Sequence, residues 1–449
     1  MDANWIHLQF TDLLGVFRQV IIAREHLKPE VFEDGISKLD GSSVYGFKPI
    51  EDSDLVLKPI KESEALIPWS EEPSVRYLTR VFEPGGKRLP TDPRYTAERL
   101  EEYLADKGLK AYAGSEIEFF LVNEFYLDMS PASMGFEVTS EESLENAATG
   151  IPEKAGYYLT GPQDTVIQVR NEILSALKAM GISSTVHHHE VASYGQSEIN
   201  IRHYEPAKAG DAIVTAKYVI RNVAVANGLT AVLMPKVFYN DNGSGMHIHM
   251  SLWSGDKNLF YDPSTPEGIS ETARYFIGGV IEHLEAVAAF TNPTVNSYRR
   301  LVPGYEAPVY GVWGVSNRSA MIRVPRPPKP SEKLLRLEFR QPDPTANPYL
   351  AIPAIVMAGL DGVNRKIDPG DAFKGNVYHL TEEERRRLGI RTMPPTLAHA
   401  LEALESDNSF LKPVFPEELV QAYLELKWAE FKELQKYPSP AEFAKYFNL

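Results

Sequence analysis

The sequence predicts an α+β protein in two parts: a small β-rich N-terminal domain over residues 1–92 and a larger mixed domain over residues 93–449. Three observations carry the prediction. Short apolar–polar alternations broken by Gly and Pro fill the chain as far as Pro90. Beyond Asp92-Pro93, strand-like and helix-like segments alternate. Several of the later strands set charged side chains on one face and apolar ones on the other, the pattern of a sheet packed on one side.

In order, WIHLQF and VFRQVII, separated by Asp12-Leu13-Leu14-Gly15, read as a β-hairpin. Strands follow at Asp54-Leu55-Val56-Leu57 and Val75-Arg76-Tyr77-Leu78, with the turn sequence Asp40-Gly41-Ser42-Ser43 before them. Asp92-Pro93 caps a helix running to about Lys107, where Gly108 ends it. LKAYAGSEIEFFLV is the next strand, and the acidic stretch from Asn123 to Lys154 reads as an irregular functional loop, too long for a routine connection. A helix from Asp164 to Met180 carries Val166, Val169, Ile173, Leu177 and Met180 on one core face. Then come the strands ISSTVHHHE and SEINIRH, a helix from about Asp211 to Asn227, and the strand LTAVLMPKVF. NDNGSGMHIHMSL, 240–252, supplies a further strand, followed by a helix from Ser270 to Phe290. A Pro- and Gly-rich segment from Asn292 to Gly314, strands around Met321-Ile322-Arg323 and from Arg336 to Arg340, and three or four closing helices complete the pattern.

Composition narrows the function. With 43% hydrophobic and 24% charged residues, the chain is composed like an ordinary folded enzyme. No apolar run approaches the roughly 20 residues of a membrane span, and the polar start lacks the features of a signal peptide, which together place the protein in the cytoplasm. A net charge of −15 argues against nucleic acid or an anionic membrane as partner. The absence of cysteine excludes disulfides, thiol nucleophiles and Cys-ligated zinc or iron–sulfur centres. No P-loop, GxGxxG fingerprint or internal repeat is present.

The chemistry collects on strand faces. His247 and His249 share one face while Met246, Ile248 and Met250 pack the other, and Gly243 and Gly245 are expected to use positive φ to admit a ligand. Glu116 and Glu118 flank Ile117; Glu198, Asn200 and Arg202 alternate with isoleucines; Arg323 sits between Ile322 and Val324; Arg336, Glu338 and Arg340 alternate with Leu337 and Phe339. One such strand is a solvated face more often than not. Several together look like a lined cavity, because a solvated face would more typically show Lys, Thr and Ser. Carboxylates at i and i+2 repel unless a cation lies between them, which suits a hard divalent metal. Arginine forks suit phosphate oxygens, so the set points to metal-assisted phosphoryl transfer. His187-His188-His189 invites a zinc-hydrolase reading, but adjacent strand residues face opposite ways, so at most two of them share a metal.

From the DGSS loop at Asp40 through GSEIEFF, HHHEV with GQSEI, NGSGMHIH, RLVPGYEAP, NRSAMIRVP and RLEFRQPDPTANPYL, the chain resembles the type I glutamine synthetases. The resemblance implies a β-grasp-like N-terminal domain and a larger α/β catalytic domain around a curved antiparallel sheet. It also implies a homo-oligomer, a dodecamer of two stacked hexameric rings with active sites between neighbouring subunits. The activity it implies is a glutamate–ammonia ligase using ATP as substrate and two or more Mg²⁺ or Mn²⁺ ions per site. By position, Glu118, Glu190 and Glu198 would hold one ion and Glu116, His247 and Glu338 the second. Arg300, Asn242, Gly243 and His247 would position glutamate. Arg318, Arg323, Arg336 and Arg340 would meet phosphates, and His249 the nucleotide. Asp40 from a neighbour, with Tyr157 and Glu190, would receive ammonium, and Glu306 would close over the intermediate. The competing readings are a γ-glutamyl-amine ligase of the same superfamily and a catalytically silent relative. Two positions depart from bacterial members: Ser316 stands where an arginine is common, and Tyr378 lies in surroundings unlike an adenylylation loop, so no adenylylation is expected.

Overall fold

The computed structural model describes residues 3–329 and 331–449. The N-terminal strands are β1 (Trp5–Thr11), β2 (Phe17–Ala23), β3 (Ile36–Asp40), β4 (Asp54–Pro59), β5 (Ala65–Leu66) and β6 (Ser74–Phe82). They form one sheet in the order β2-β1-β6-β4-β3, with β5 on β6. β1 and β2 make the expected hairpin, and β1 runs parallel to β6, giving the mixed sheet of a β-grasp domain. Alternation explains the core: Ile6 and Leu8 of β1 pack with Leu57 and Val81 inside one cluster, all fully buried.

The large sheet is built from β7 (Lys110–Val122), β10 (Ser184–His189), β11 (Gln196–Tyr204), β12 (Thr230–Val232), β13 (Met246–Ser254), β14 (Lys257–Asn258), β15 (Trp313–Val315), β16 (Ile322–Val324) and β17 (Leu337–Phe339); β8 (Glu124–Ser130) and β9 (Ser133–Thr139) pair separately. The main path is β10-β11-β7-β13-β17-β16-β15, with β12 on β7 and β14 on β13. Its pairs are antiparallel except β15 with β16, which is parallel. Helices Pro93–Ala105, Pro206–Ala226, Glu271–Glu282 and Pro348–Arg365 pack on one another behind it. Ile117, Ile199, Ile248 and Phe339 share their apolar core. The same alternation therefore turns the charged residues of β7, β11, β13 and β17 to the opposite face. Among the described residues no helix is long and apolar enough to cross a membrane.

Several local expectations change. The acidic stretch after Asn123 is not irregular throughout: 124–139 forms the β8–β9 hairpin, which exposes Tyr126, Leu127, Met129 and Phe136. The strand expected over LTAVLMPKVF is confined to Thr230–Val232. The helix expected from Asp211 starts at Pro206, whose missing N–H costs nothing in the first turn. The helix from Ser270 breaks at His283, whose ring lies 2.6 Å from Asp407 and 2.8 Å from Asp361. Among the described residues five α-helices, not three or four, follow β17, with two short 3₁₀ turns between them.

Candidate active site

β7 runs through the middle of the large sheet, and its neighbours line up against its two glutamates. Glu198 of β11 stands opposite Glu118, and Asn200 opposite Glu116. On the other side His247 of β13 stands opposite Glu116. His188 of β10 faces Glu198, and Glu338 of β17 faces both His249 of β13 and Arg323 of β16. Directly paired residues point the same way, so these rows share one face. Donor atoms of Glu116, His247 and Glu338 lie within 4.8 Å of one another, as do those of His188, Glu190 and Glu198. Glu118 stands beside both groups: it accepts the Gly245 N–H at 2.7 Å and lies 3.7 Å from His247 Nε2.

So many buried carboxylates disturb one another. Burial first, then Glu118 and Glu198, pushes the Glu190 carboxyl well above the usual range. Burial with Glu116, Glu118 and Glu338 does the same to Glu198. Burial also works to raise Glu116, but His249 and His247 outweigh it and hold that carboxyl well below the usual range. Against the same burial, His249, Arg340 and His247 bring Glu338 down to about 2. Divalent cations would relieve the repulsion around Glu190 and Glu198, and a set of oxygens with imidazole fits Mg²⁺ or Mn²⁺.

This face floors a cavity of about 640 Å³. Arg300 is buried at one side, donating to the carbonyls of Gln341 at 2.9 Å and Arg340 at 3.1 Å. Arg340 donates to Glu338 Oε1 at 2.9 Å, and Arg323 donates to the other oxygen of the same carboxylate. Arg318 makes no ion pair among the described residues, which leaves its charge available to a ligand. Tyr157 stacks on Tyr158 with ring centroids 4.1 Å apart. Burial and the Tyr158 contact raise the Tyr157 hydroxyl above its ordinary value. Lys154, Tyr158 and Glu306, all on the cavity wall, have φ of 62°, 59° and 57°. Left-handed non-glycine residues cost on the order of 1–3 kcal/mol each and gather at functional sites.

The glycines before His247 do a different job from the one expected. Neither has a left-handed φ; both are needed for close approach. A Cβ on Gly245 would sit 2.6 Å from Arg300 Nη2 and 2.8 Å from His247 Nε2, and one on Gly243 would sit 2.3 Å from the Pro235 carbonyl oxygen.

Of the residues singled out in the sequence, Glu116, Glu118, Glu190, Glu198 and His247 line this cavity. So do Tyr157, Asn242, Gly243, Arg300, Glu306, Arg318, Arg323 and Arg340. Glu338 lies just beneath, almost fully buried. His249 and Arg336 line an adjoining cavity of about 430 Å³, joined by the Arg336 Nε hydrogen bond to His249 Nδ1 at 3.1 Å. Asp40 is outside both: it ends β3, exposed, and accepts from the Ser42 and Ser43 hydroxyls at 2.7 and 2.9 Å, which hold its carboxyl below the ordinary value. Sequence reasoning passed over Lys154, Tyr158 and Tyr305 on the cavity wall, and gave His188 no role beyond the zinc reading. A signal for His188 existed, since it lies two residues before Glu190 and so shares its face.

A sheet that gathers carboxylates and histidines beneath a wall of arginines defines an enzyme that handles cations and anions in one cavity, the layout of a metal-dependent ligase. The models of the glutamine synthetase β-grasp domain and the glutamine synthetase catalytic domain match residues 2–84 and 90–446. The chain is 48% identical to the glutamine synthetase of Sulfolobus acidocaldarius over 100% of this chain and 96% of that one. It is 41% identical to that of Thermotoga maritima over 100% and 97%. In structure it is similar to Plasmodium falciparum glutamine synthetase, with a TM-score of 0.90, 26% identity and coverage of 99% and 96%. It is also similar to GmaS in a complex with ADP, with a TM-score of 0.84, 28% identity and coverage of 100% and 97%. The chain belongs to the glutamine synthetase family.

Proposed function

We infer that the chain joins ammonia to L-glutamate with ATP as the second substrate, giving L-glutamine, ADP and phosphate through γ-glutamyl phosphate. The observation that carries this reading is the meeting of two cation-ready donor clusters with Arg300, Arg318, Arg323 and Arg340 around one cavity, in a chain of this family.

Glu118, Glu190 and Glu198 would hold one divalent cation and Glu116, His247 and Glu338 another; such ions screen the charge on glutamate and on the phosphates. Arg300, Asn242 and Gly243 orient glutamate, a role that fits the close approach of Gly243 to the Arg300 side chain. Arg318, Arg323 and Arg340 meet the phosphates, while His249 and Arg336 take the nucleotide in the adjoining cavity. The γ-carboxylate attacks the γ-phosphorus, the bond to ADP breaks, and ADP departs. Glu306, held in a left-handed conformation, closes over the acyl phosphate and keeps water out. Ammonium settles between Tyr157, Glu190 and Asp40 of a neighbouring copy and gives up a proton to that anionic pocket; the ammonia formed attacks the carbonyl carbon, the bond to phosphate breaks, and the nitrogen's second proton leaves with the phosphate.

Sites between neighbours suit the position of Asp40 outside its own chain's cavity. The exposed apolar hairpin residues, and Phe443, Tyr446 and Phe447 near the C-terminus, suit burial in a homo-oligomer, for which we propose the dodecamer. We also propose a cytoplasmic location and the division into domains at residue 92. Tyr378 donates its hydroxyl to the Ala307 carbonyl at 2.7 Å, which supports the reading that it is not a modification site. The test is ADP release with glutamate and either ammonium or a panel of amines, with and without Mg²⁺ or Mn²⁺. Turnover with ammonium that requires the metal is expected. Turnover with amines alone would overturn this in favour of a γ-glutamyl-amine ligase, and no turnover at all would mark a silent relative.

A further inference from the structure

The three consecutive histidines of β10 go three ways. His187 is tied outside the cavity by Arg170 Nε at 3.2 Å and Asn171 Oδ1 at 2.9 Å. His189 is fully buried against Glu142. His188 alone turns into the cavity, in register with Glu198. Its ring is held by Tyr158 and Tyr157, which meet it nearly edge-on at centroid distances of 4.6 and 5.6 Å.

The tautomer follows from what each ring nitrogen faces. Nδ1 lies 3.1 Å from the His189 carbonyl oxygen, which can only accept, so Nδ1 carries a proton. Nε2 is left 3.2 Å from Glu198 Oε1, with Glu190 on its other side, 3.6 Å from Nδ1. An imidazole nitrogen this close to a carboxylate needs a positive charge between them, either a proton on Nε2, as on His189, or a bound cation in that proton's place. A ring that donates one N–H to a backbone carbonyl, turns its other nitrogen to a carboxylate and has a ligand atom within 4.8 Å of those of Glu190 and Glu198 matches the arrangement of a metal-bound histidine.

We propose that His188 is a ligand of the cation held by Glu190 and Glu198, so that each of the two cation sites contains one imidazole. The proposal rests on the two-cation reading above but goes beyond it, since that reading gives the first site carboxylates only. An imidazole in each site favours Mn²⁺ and later divalent metals over Mg²⁺, which prefers oxygen.

The test is pulsed electron paramagnetic resonance of the full-length protein loaded with Mn²⁺ alone. His247→Ala removes the imidazole of the second site, and the remaining ion is expected to keep the modulation of a directly bonded histidine nitrogen. Protein grown with ¹⁵N-histidine must change that signal. Adding His188→Gln should abolish it and weaken Mn²⁺ binding at least about tenfold, with a smaller loss for Mg²⁺. Unsubstituted protein carrying the same label covers the case in which a variant fails to fold, because two histidine couplings are expected there. Bound Mn²⁺ in the His247→Ala protein with no histidine coupling would overturn the proposal while leaving the two-cation reading intact. Failure of the unsubstituted protein to bind Mn²⁺ would overturn both.

Discussion

Glu142→Gln should loosen the active-site wall without touching a substrate. Glu142 and His189 are both 0% exposed. Glu142 Oε1 accepts the N–H and hydroxyl of Thr165 at 3.0 and 2.9 Å; Oε2 accepts His189 Nε2 at 2.9 Å and the Gly195 N–H. The other ring nitrogen of His189 lies 2.7 Å from the Glu190 carbonyl oxygen, so both nitrogens donate and the ring is an imidazolium. A glutamine keeps one oxygen for two of these four donors and turns its amide N–H₂ towards the others. Two charge-assisted hydrogen bonds at about 1.5–3 kcal/mol each put the loss at roughly 3–6 kcal/mol. That agrees with the roughly 3–5 kcal/mol for removing one partner of a buried ion pair.

Hydrogen exchange should report the loss as faster exchange in 184–196 and 140–165, with a lower midpoint of thermal unfolding. The effect should depend on pH in a defined way. Burial opposes both charges, but the partners prevail: Glu142 is lowered from its ordinary 4.5 and His189 raised from its ordinary 6.5. The pair's contribution is therefore complete from pH 4.5 to 6.5, fades below as Glu142 protonates, and fades above as pH passes the raised His189 value. Exchange within twofold of the parent in both segments, or a difference that does not vary with pH, would refute the reasoning.

Gly245→Ala would place a Cβ 2.6 Å from Arg300 Nη2 and 2.8 Å from His247 Nε2, so glutamate KM should rise at least about tenfold and Mn²⁺ affinity fall, as steady-state kinetics and metal titration would register. Lys217 is brought down to about 7 by burial and then by Arg221, while Nζ donates to the Ala346 carbonyl at 2.9 Å. Its charging penalty is complete below pH 7 and fades towards 10.5, so Lys217→Met should raise the melting temperature at pH 6. Only above pH 10.5 does the lost hydrogen bond, about 1 kcal/mol, stand alone, so the gain from Lys217→Met should shrink steadily between pH 7 and pH 10 in a melting series. Asp40→Ala should raise the KM for ammonium at least about tenfold while leaving Mn²⁺ affinity within about twofold, because in the proposed mechanism its carboxylate, held below the ordinary pKa by Ser42 and Ser43, would anchor that cation.

What could be read from the sequence is what alternation encodes. Glu116 with Glu118, His247 with His249, and Glu338 between arginines each announce one charged face with apolar residues on the other, since strand period is local information. The structure bears this out by packing Ile117, Ile248 and Phe339 into the core behind them. Alternation does not say which strands will be neighbours. The choice of Glu198 opposite Glu118, and of His188 opposite Glu198, is a matter of register between segments brought together only by the fold. Breaks with distant causes are equally hidden. The helix from Ser270 ends early where His283 meets Asp361 and Asp407, and a side chain at Gly245 would displace the Arg300 and His247 side chains that crowd it. Glu142 is the sharpest case: within an acidic segment it looks like one solvated carboxylate among several, yet the fold buries it against His189. Local pattern thus specifies the donors the site presents, and long-range contacts decide which of them meet and how firmly they are held.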